Sequence, residues 1–393
     1  MNVIVIIFWA LLFVIFYSYL GYGILLYLLV KLKRIIKKDK HVFDDLYEPS
    51  VTLLIAAYNE KDFVREKIAN SLELDYPKDK LKILFVTDGS DDGTQDIIRE
   101  YAGVEVLHQD GRAGKISAVN RAMKYVNTPV TIFCDANTML NHQAIRMLVR
   151  HFQIPRVGCV AGEKRILNKE KESASGSGEG IYWKYESFLK KLDSELYTVV
   201  GAAGELFALR TDLFHPTEKN AIIEDFVISL RIAQQGYKVE YEPDAYAMET
   251  SSVNVKEELK RKIRICAGGI QSIVWLRDLL NPFKHGWLTF QYVSHRVLRW
   301  TITPLFLLLL IPANILLSNY YGGIYSLILI GQFLFYASAL LGWYLQHREI
   351  RVKALYIPYY FFIMNYAVFI GFFRYIRGRQ QVNWERSERA KII

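Results

Sequence analysis

The sequence predicts an α/β domain with a mostly parallel sheet, held between apolar helices long enough to cross a membrane. Two observations support this prediction. Hydrophobic residues make up 52% of the 393-residue chain, and many of them lie in uncharged stretches near the two ends. Between these stretches, short apolar runs alternate with amphipathic helical patterns, as expected of a parallel sheet covered by helices on both faces.

The first apolar stretch, residues 2–30, carries no charged side chain. At about 1.5 Å per residue it can cross a hydrocarbon layer of about 30 Å. A cleaved signal peptide would have a positive start and a shorter apolar core, so we predict a transmembrane helix over residues 1–30. A basic juxtamembrane linker over residues 31–49 follows directly. By the positive-inside rule it places the next domain in the cytoplasm, at the inner membrane.

Four apolar runs open the central region, and polar residues follow each of them. The runs are residues 51–56, 82–87, 104–108 and 130–134. Polar residues also simply end strands and cap helices. However, the carboxyl ends of parallel strands meet at one edge, where such sheets bind ligands. Four coincident clusters therefore favour a functional site at that edge.

Two of these clusters suggest a site for a diphosphate with a divalent cation. Asp135 and Asn137, two apart on an extended segment, would point the same way and offer hard oxygen ligands to Mg²⁺ or Mn²⁺. Lys115 precedes a helical pattern and could reach a phosphate as a point charge; a solvated surface lysine is the alternative. The sequence has neither a Walker-type loop nor a Gly-x-Gly-x-x-Gly turn, so ATPase and dinucleotide-binding functions lose their main support.

Cysteines and net charge exclude further classes. Cys134, Cys159 and Cys266 are far apart in the sequence, which argues against a disulfide framework or a zinc site. No nucleic-acid-binding motif accompanies the net charge of +9. We therefore expect no nucleic-acid partner and assign much of the basic excess to membrane orientation.

Six segments taken together resemble a known family. They are "AAYNE" (56–60), "TDGSDDGT" (87–94), "GRAGKISAVNRA" (111–122), "DAN" (135–137), "VGAAGELFALR" (200–210) and "IEDFVISLRIAQQGYKV" (223–239). Their order resembles family 2 glycosyltransferases with a GT-A fold. The set looks like the membrane-embedded branch that includes cellulose, chitin, hyaluronan and poly-N-acetylglucosamine synthases. The resemblance covers about residues 50–270, and we predict the GT-A domain over 50–265.

The resemblance implies a donor site for a UDP-sugar. Ala57, Tyr58, Glu60 and Asp88 would surround the uridine, and Lys115 would lie near the nucleotide. These positions all follow predicted strands or begin a predicted helix. The implied donor site therefore coincides with the sheet edge identified above.

The resemblance also implies a metal and a base. Asp135 and Asn137 match the Asp-x-Asp metal motif, with one neutral ligand in place of a carboxylate. Asp225 matches the general base of the Thr-Glu-Asp motif, beside Glu224. A helix N-terminus also favours acids at these positions, and the two interpretations are compatible.

The Gln-x-x-Arg-Trp motif of processive synthases has no clean copy. Its best match, residues 261–265, keeps only the basic position Arg264, which could clamp the diphosphate. The Trp that floors the acceptor site is missing from this stretch. Processivity therefore stays open.

An aromatic helical pattern over residues 178–197 adds candidate acceptor residues. Tyr182, Trp183 and Tyr185 could stack on sugar rings or pack the domain against the membrane, and both alternatives stay open. Gly204 and Glu205 are further acceptor candidates, carried over from the matching 200–210 segment.

The C-terminal part of the sequence predicts further membrane association. We expect amphipathic interface helices over residues 266–298, including an interfacial helix over 268–280, then transmembrane helices over 299–375 and a basic tail over 376–393. The predicted spans are residues 300–317, 323–345 and 354–373. Three such spans would put the tail outside the cell, whereas its basic charge argues for the cytoplasm. Incomplete crossing by residues 350–373 or a different number of spans would resolve the conflict.

These features predict an inverting glycosyltransferase that moves a hexose or N-acetylhexosamine from a UDP-sugar to a polysaccharide or oligosaccharide acceptor, in exopolysaccharide synthesis. One alternative is transfer of a single sugar to a polyprenyl-phosphate lipid carrier. Another is a transporter or nucleotide-sensing scaffold without catalysis. The enzymatic hypotheses require Asp88, Asp135 and Asp225 to lie at one edge of the fold.

Overall fold

The computed structural model describes most of the chain. The described residues are 2–36, 42–44, 46–167, 174–250, 255–348, 350 and 352–380. Part of the basic juxtamembrane linker, residues 37–41, and most of the predicted basic tail, residues 381–393, lie outside them.

The described residues contain eight strands in one sheet. The strands are β1 (Val51–Ala57), β2 (Leu81–Asp88), β3 (Val104–Gln109), β4 (Val130–Asp135), β5 (Met139–Leu140), β6 (Val157–Leu167), β7 (Leu206–Arg210) and β8 (Lys238–Thr250). Their order is β3-β2-β1-β4-β7-β6-β8-β5. β1 is parallel to β2 and β4, β2 is parallel to β3, and β7 is antiparallel to β4 and β6. The predicted mostly parallel sheet is confirmed.

The central strands of the sheet are buried along almost their whole length. All six residues of β4 and all but one of β1 are buried, as expected of strands covered by helices on both faces. Ala56 of β1 pairs with Asp135 of β4, and Ala57 pairs with Thr87 of β2. This register brings Asp88 and Asp135 to the same carboxyl edge of the sheet.

The strands are connected and flanked by helices. In chain order these are α1 (Asn2–Phe16), α2 (Tyr22–Ile36), α3 (Val64–Leu72), α4 (Thr94–Arg99), α5 (Lys115–Ala122), α6 (Ala144–Val149), α7 (Ala174–Leu196), α8 (Glu224–Gln234), α9 (Val255–Trp275), α10 (Pro282–His285), α11 (Trp287–Tyr292), α12 (Leu298–Trp300), α13 (Ile302–Tyr321), α14 (Ile324–His347) and α15 (Lys353–Ile376). A π-helical turn, Tyr17–Gly21, joins α1 and α2 into one long rod.

Four helical stretches in the described part of the chain are long and apolar enough to cross a membrane. They are Asn2–Ile36, Ile302–Tyr321, Ile324–His347 and Ala354–Ile376. Large apolar side chains on them, such as Ile6, Leu327 and Phe333, are exposed, as expected of a surface that contacts lipid. Each stretch coincides with a predicted span, and the first continues six residues beyond residue 30.

The stretch predicted to form an interfacial helix, residues 268–280, packs partly within the protein. Most of it belongs to α9. Ile270, Leu276 and Leu279 are buried, whereas Val274 and Leu280 are exposed, so the interfacial position stays a prediction. A Cβ at Gly268 would lie 2.9 Å from Ile223, so this part of α9 packs directly against the start of α8. Periodicity alone could not distinguish a face that contacts lipid from one that contacts protein.

The C-terminal end of α15 lies beside the sheet domain. A Cβ at Gly371 would come within 2.8 Å of the Ala267 amide nitrogen, so α15 and α9 are in close contact there. Arg374 and Arg377 line the same cavity as the predicted base Asp225. The end of α15 that precedes the predicted basic tail therefore lies at this cavity, and the side of the tail stays a prediction.

Candidate active site

A cavity of about 940 Å³ opens between the edge of the sheet and helices α7, α9 and α15. Its lining includes nine residues singled out from the sequence: Lys115, Asp135, Tyr182, Trp183, Gly204, Glu205, Glu224, Asp225 and Arg264. Among the described residues, the remaining candidates Ala57, Tyr58, Glu60, Asp88 and Asn137 lie outside its walls. The structure thus gathers the predicted catalytic and acceptor residues in one cavity, with the predicted uridine-binding loops outside it.

Lys115 forms the centre of the charged cluster. It is the first residue of α5, directly after Gly114, whose φ of 93° is a conformation that suits glycine. Its Nζ donates to Asp135 Oδ1 at 2.7 Å and lies 3.0 Å from Glu224 Oε1. Burial alone would lower the pKa of Lys115, but Asp135 and Glu224 raise it above its ordinary value. Lys115 is therefore a fixed positive charge between two acidic side chains.

Two adjacent carboxyl groups at the start of α8 have opposite pKa shifts. Burial raises the pKa of Asp225 to about 7, and the Glu224 carboxylate adds to the increase. Burial also opposes ionisation of Glu224, but Lys115 outweighs it and lowers the pKa of Glu224. Such a pair supplies one permanently ionised carboxylate and one that exchanges a proton near neutral pH, which is the property of a general base.

Gly204 lies close to both charged groups. A Cβ built on it would lie 3.4 Å from Asp225 Oδ2 and 3.6 Å from Lys115 Nζ. A larger side chain at this position would occupy the space in front of the carboxylate. The absence of a side chain therefore keeps Asp225 open to the cavity.

Asp88 connects the end of β2 to the turn that carries Lys115. Its Oδ2 accepts hydrogen bonds from the backbone N–H groups of Ala113 and Gly114, at 2.7 and 2.6 Å. Arg121 Nη1 lies 3.5 Å from its other oxygen. The buried Asp88 carboxylate thus fixes the position from which Lys115 extends.

The loops after β1 and β2 hold each other in place. Asn59, with a φ of 52°, donates through Nδ2 to Asp91 at 2.8 Å and accepts from the Asp91 N–H at 3.0 Å. The Glu60 N–H donates to Thr94 Oγ1 at 2.9 Å. The Arg112 guanidinium lies 3.9 Å from the centre of the Tyr58 ring. An aromatic face and a cation next to the sheet edge offer a flat surface for a planar base.

The predicted metal pair is arranged differently from the expectation. Strand β4 ends at Asp135, and Ala136 and Asn137 form a turn, so the extended geometry predicted for these residues is wrong. No group of three or more His, Cys, Asp or Glu side chains suited to a metal occurs among the described residues. Mg²⁺ at phosphate sites commonly takes only one or two protein ligands and completes its shell with phosphate and water. An Asp135 carboxylate with an Asn137 amide fits a cation of that kind.

A buried lysine supports this turn, and sequence reasoning missed it. Lys67 Nζ donates to the Thr138 carbonyl at 2.7 Å and to Cys134 Sγ at 3.0 Å. Thr138 Oγ1 in turn donates to the Asp135 carbonyl at 3.0 Å. In the sequence Lys67 occurs within a helical pattern and resembles any solvated lysine, so no local signal identified it.

The wall opposite Lys115 contains further residues that the sequence analysis did not select. They are Glu186, Lys190, Arg296 and Trp300. Trp300 contacts Phe226 edge to face with ring centres 5.3 Å apart, and a Cβ at Gly269 would lie 2.5 Å from its ring. A tryptophan thus lines the cavity from another helix, and the Arg299-Trp300 dipeptide was the available signal.

A buried polar network connects this wall to the first membrane helix. His295 Nδ1 lies 2.6 Å from Asp193 Oδ2, and His295 Nε2 lies 3.3 Å from Glu186 Oε2. The Tyr22 hydroxyl of α2 donates to the other Asp193 oxygen, and Glu186 also pairs with Arg296. Hydrogen-bonded buried groups of this kind hold the elements that carry them in one arrangement.

The aromatic residues of α7 have two different environments. Tyr182 and Trp183 line the cavity, where Lys262 Nζ lies 4.4 Å from the centre of the Tyr182 ring. The Tyr185 hydroxyl instead donates to the Tyr19 carbonyl at 2.7 Å. Tyr182 and Trp183 are therefore in a position to contact a sugar, whereas Tyr185 packs against the apolar rod formed by α1 and α2.

The mostly parallel sheet, with Asp88 and Asp135 at its carboxyl edge, is the arrangement expected of a GT-A fold. Residues 52–216 match the family model described as "Glycosyl transferase family 2". This match confirms the resemblance recognised from the six sequence segments.

The proteins that this chain resembles include two poly-N-acetylglucosamine synthases. Poly-beta-1,6-N-acetyl-D-glucosamine synthase of Staphylococcus aureus (strain MSSA476) is 28% identical over 246 residues, which are 60% of this chain and 57% of that protein. The synthase of the same name from Staphylococcus epidermidis is 25% identical over 296 residues, covering 72% of this chain and 70% of that protein. This chain therefore matches less than two thirds of the length of the S. aureus relatives.

Among solved structures, the fold resembles that of mannosyltransferase PcManGT from Pyrobaculum calidifontis in complex with GDP-Man and Mn²⁺. The TM-score is 0.69 at 21% identity, with 96% of this chain and 100% of that chain covered. This similarity confirms the predicted GT-A fold.

Proposed function

We propose that this protein is an inverting glycosyltransferase of the inner membrane, with its catalytic domain in the cytoplasm. It moves a hexose or N-acetylhexosamine from a UDP-sugar to a saccharide acceptor in exopolysaccharide synthesis. The observation that carries the proposal is the juxtaposition of Lys115, Glu224 and Asp225 in one cavity, with the pKa of Asp225 raised to about 7. The poly-N-acetylglucosamine synthases among the relatives support a polymer product and an N-acetylhexosamine donor.

Asp225 is the proposed general base. An acceptor hydroxyl loses its proton to the Asp225 carboxylate while its oxygen forms a bond to the anomeric carbon of the donor. The bond from that carbon to the diphosphate oxygen breaks, and its electron pair leaves with UDP. Attack opposite to the leaving group inverts the anomeric configuration. A positioned base of this kind contributes about 10²- to 10⁴-fold to the rate.

Fixed charges stabilise the leaving group. Lys115 and Arg264 line the cavity and offset the negative charge that develops on the departing diphosphate. Asp135 and Asn137 would hold Mg²⁺ or Mn²⁺, which as a Lewis acid stabilises a phosphate oxygen. The charge on Lys115 is present before the reaction, because Asp135 and Glu224 keep it protonated.

The aromatic wall offers a site for the acceptor sugar. Trp300, Tyr182 and Trp183 line the cavity together with Asp225. Aromatic faces bury the apolar faces of sugar rings, so a pyranose could lie against this wall with a hydroxyl directed at the carboxylate. Gly204, whose missing side chain leaves Asp225 accessible, completes the proposed acceptor site.

The first test is an assay of the full chain, purified in lipid, with a panel of nucleotide sugars. UDP-glucose, UDP-N-acetylglucosamine and GDP-mannose are offered with saccharide acceptors and with Mg²⁺ or Mn²⁺, and nucleotide release and product length are measured. We expect UDP release from one UDP-sugar, and we expect chelation of the divalent cation to stop it. Release from GDP-mannose alone would contradict the proposed donor, and no release from any donor would favour the scaffold hypothesis.

The pH dependence of turnover gives a second test. Asp225 accepts a proton only when ionised, and burial raises its pKa to about 7. We therefore expect kcat/KM to rise with pH through about 7 and to level off above it. Well below pH 7, kcat/KM should fall nearly tenfold for each pH unit. The measurement is UDP release at saturating cation across this range, with UDP affinity as the control. A profile that is flat between pH 6 and pH 8 would rule out this assignment.

A further inference from the structure

The cavity carries more positive charge than the proposed donor requires. Ten Lys and Arg side chains and six Asp and Glu side chains line it, and Glu258 behind the wall pairs with Arg261 and Lys262, which leaves an excess of three positive charges. A diphosphate bound together with a divalent cation adds almost no net charge, so the donor would leave this excess uncompensated. A cavity of this charge is suited to a second anionic group.

The excess is concentrated at one end. Arg374, Arg377 and Arg379, here called the arginine rim, line the cavity at the end of α15. All three side chains are exposed, and they form no ion pair with any acidic residue in the described part of the chain. An anion at the rim would therefore not need to displace an acidic partner from the described part of the chain.

A second cation lies deeper in the cavity. Lys190 is only 5% exposed, and within the described ranges its ammonium makes no hydrogen bond or ion pair; it interacts electrostatically with Glu186 and lies 5.8 Å from the centre of the Tyr241 ring. Burial of an ammonium that lacks a hydrogen-bond partner is unfavourable. Burial lowers the pKa of Lys190, and an anionic ligand in the cavity would counter that effect.

The surroundings of the rim are apolar. Phe373, which lines the cavity, and its neighbours Phe372 and Ile376 are exposed large apolar residues at the end of a helix long enough to cross a membrane. Basic side chains next to exposed apolar ones at the end of such a helix are the combination that holds an anionic lipid head group. A water-soluble phosphate would make no use of the apolar residues.

We propose that the cavity binds, besides the sugar donor, the phosphate of a long-chain lipid that carries the saccharide acceptor. The phosphate lies at the arginine rim, the lipid chain lies along the exposed apolar end of α15, and the saccharide reaches inward to Asp225. The assignment of the saccharide as acceptor rests on the proposed function. The bond between the lipid and its phosphate is not broken, since the hydroxyl attack described above takes place at the other end of the saccharide.

The test measures lipid binding without turnover. The full chain in phosphatidylcholine nanodiscs is titrated with a fluorescent polyprenyl phosphate and with the matching polyprenol, which lacks the phosphate. We expect the phosphate to bind at least about tenfold more tightly. In the triple variant R374Q/R377Q/R379Q we expect its affinity to fall on the order of 100-fold, because each interfacial cation contributes roughly fivefold. UDP affinity and thermal stability should stay unchanged.

Two matched variants test whether the effect requires positive charge at the arginine rim itself. Arg348→Gln makes the same change at an exposed arginine after α14, outside the cavity, and should leave the affinity for polyprenyl phosphate unchanged. The triple Arg→Lys variant keeps the charge and should retain most of it. If the lysine variant lost as much affinity as the glutamine variant, attraction by charge at the rim would be the wrong explanation.

Three results would overturn the proposal. The first is equal affinity for polyprenol and polyprenyl phosphate. The second is loss of UDP binding with intact lipid binding in the triple glutamine variant, which would place the donor diphosphate at the rim. The third is displacement of the fluorescent probe by phosphatidylglycerol as effectively as by unlabelled polyprenyl phosphate. That result would indicate a general surface for anionic lipids. Nucleotide release from the donor panel is measured separately, so failure of the proposed catalysis is distinguishable from failure of this inference.

Discussion

Asp225→Asn is expected to reduce turnover by about 10²- to 10⁴-fold while leaving nucleotide affinity within about twofold of the wild type. The amide fills nearly the same volume as the carboxyl group but cannot accept a proton from the acceptor. Lys115 pairs with Asp135 and Glu224 at 2.7 and 3.0 Å. The Asp225 substitution therefore leaves these two ion pairs in place. UDP release and calorimetric UDP binding measure the two quantities.

The control for this substitution is Asp212→Asn. Asp212 is an exposed acid in the short helical turn after β7 and does not line the cavity, so the same chemical change there should leave turnover unchanged. The pH profile adds an independent readout, since residual activity of Asp225→Asn should lose the rise near pH 7. Retention of more than about a tenth of the wild-type rate would exclude Asp225 as the general base.

The sequence was sufficient for the sheet and for the residues at its edge. β1, β2 and β4 are continuous apolar runs because they are covered on both faces, and that pattern is visible without a structure. Asp88 and Asp135 end two of these strands. The parallel register required by such runs was enough to predict that both reach one edge.

Residues that act through tertiary contacts could not be predicted in the same way. Lys67, which holds the turn after Asp135, and Lys190 both lie within helical patterns, and their burial becomes visible only in the fold. Trp300 reaches the cavity because Gly269 leaves room for its ring, a packing relation between positions far apart in sequence. Hydrophobic periodicity over residues 268–280 likewise could not show that Ile270, Leu276 and Leu279 are buried against protein.

The second large effect is expected for Lys115→Met, which removes the charge between two buried acids. Asp135 and Glu224 would lose a partner at 2.7 and 3.0 Å. Breaking a buried ion pair from one side costs about 3–5 kcal/mol, so both stability and donor affinity should fall. We expect turnover to drop at least about 100-fold, because the leaving diphosphate also loses a fixed cation. Thermal unfolding and UDP release give the two measurements.

The pH profile distinguishes an electrostatic effect of Lys115 on Asp225 from a purely structural role. Lys115 lowers the pKa of Asp225, which burial and Glu224 raise to about 7. Without the lysine this pKa must move further up, so the rising limb of residual activity should shift to higher pH. Lys115→Arg keeps the charge and should keep the limb near its wild-type position, and Lys124→Met, at an exposed lysine just after α5, should change neither rate nor profile. A Lys115→Met enzyme that is slow but has an unshifted limb would mean that Lys115 does not set the electrostatics of the base.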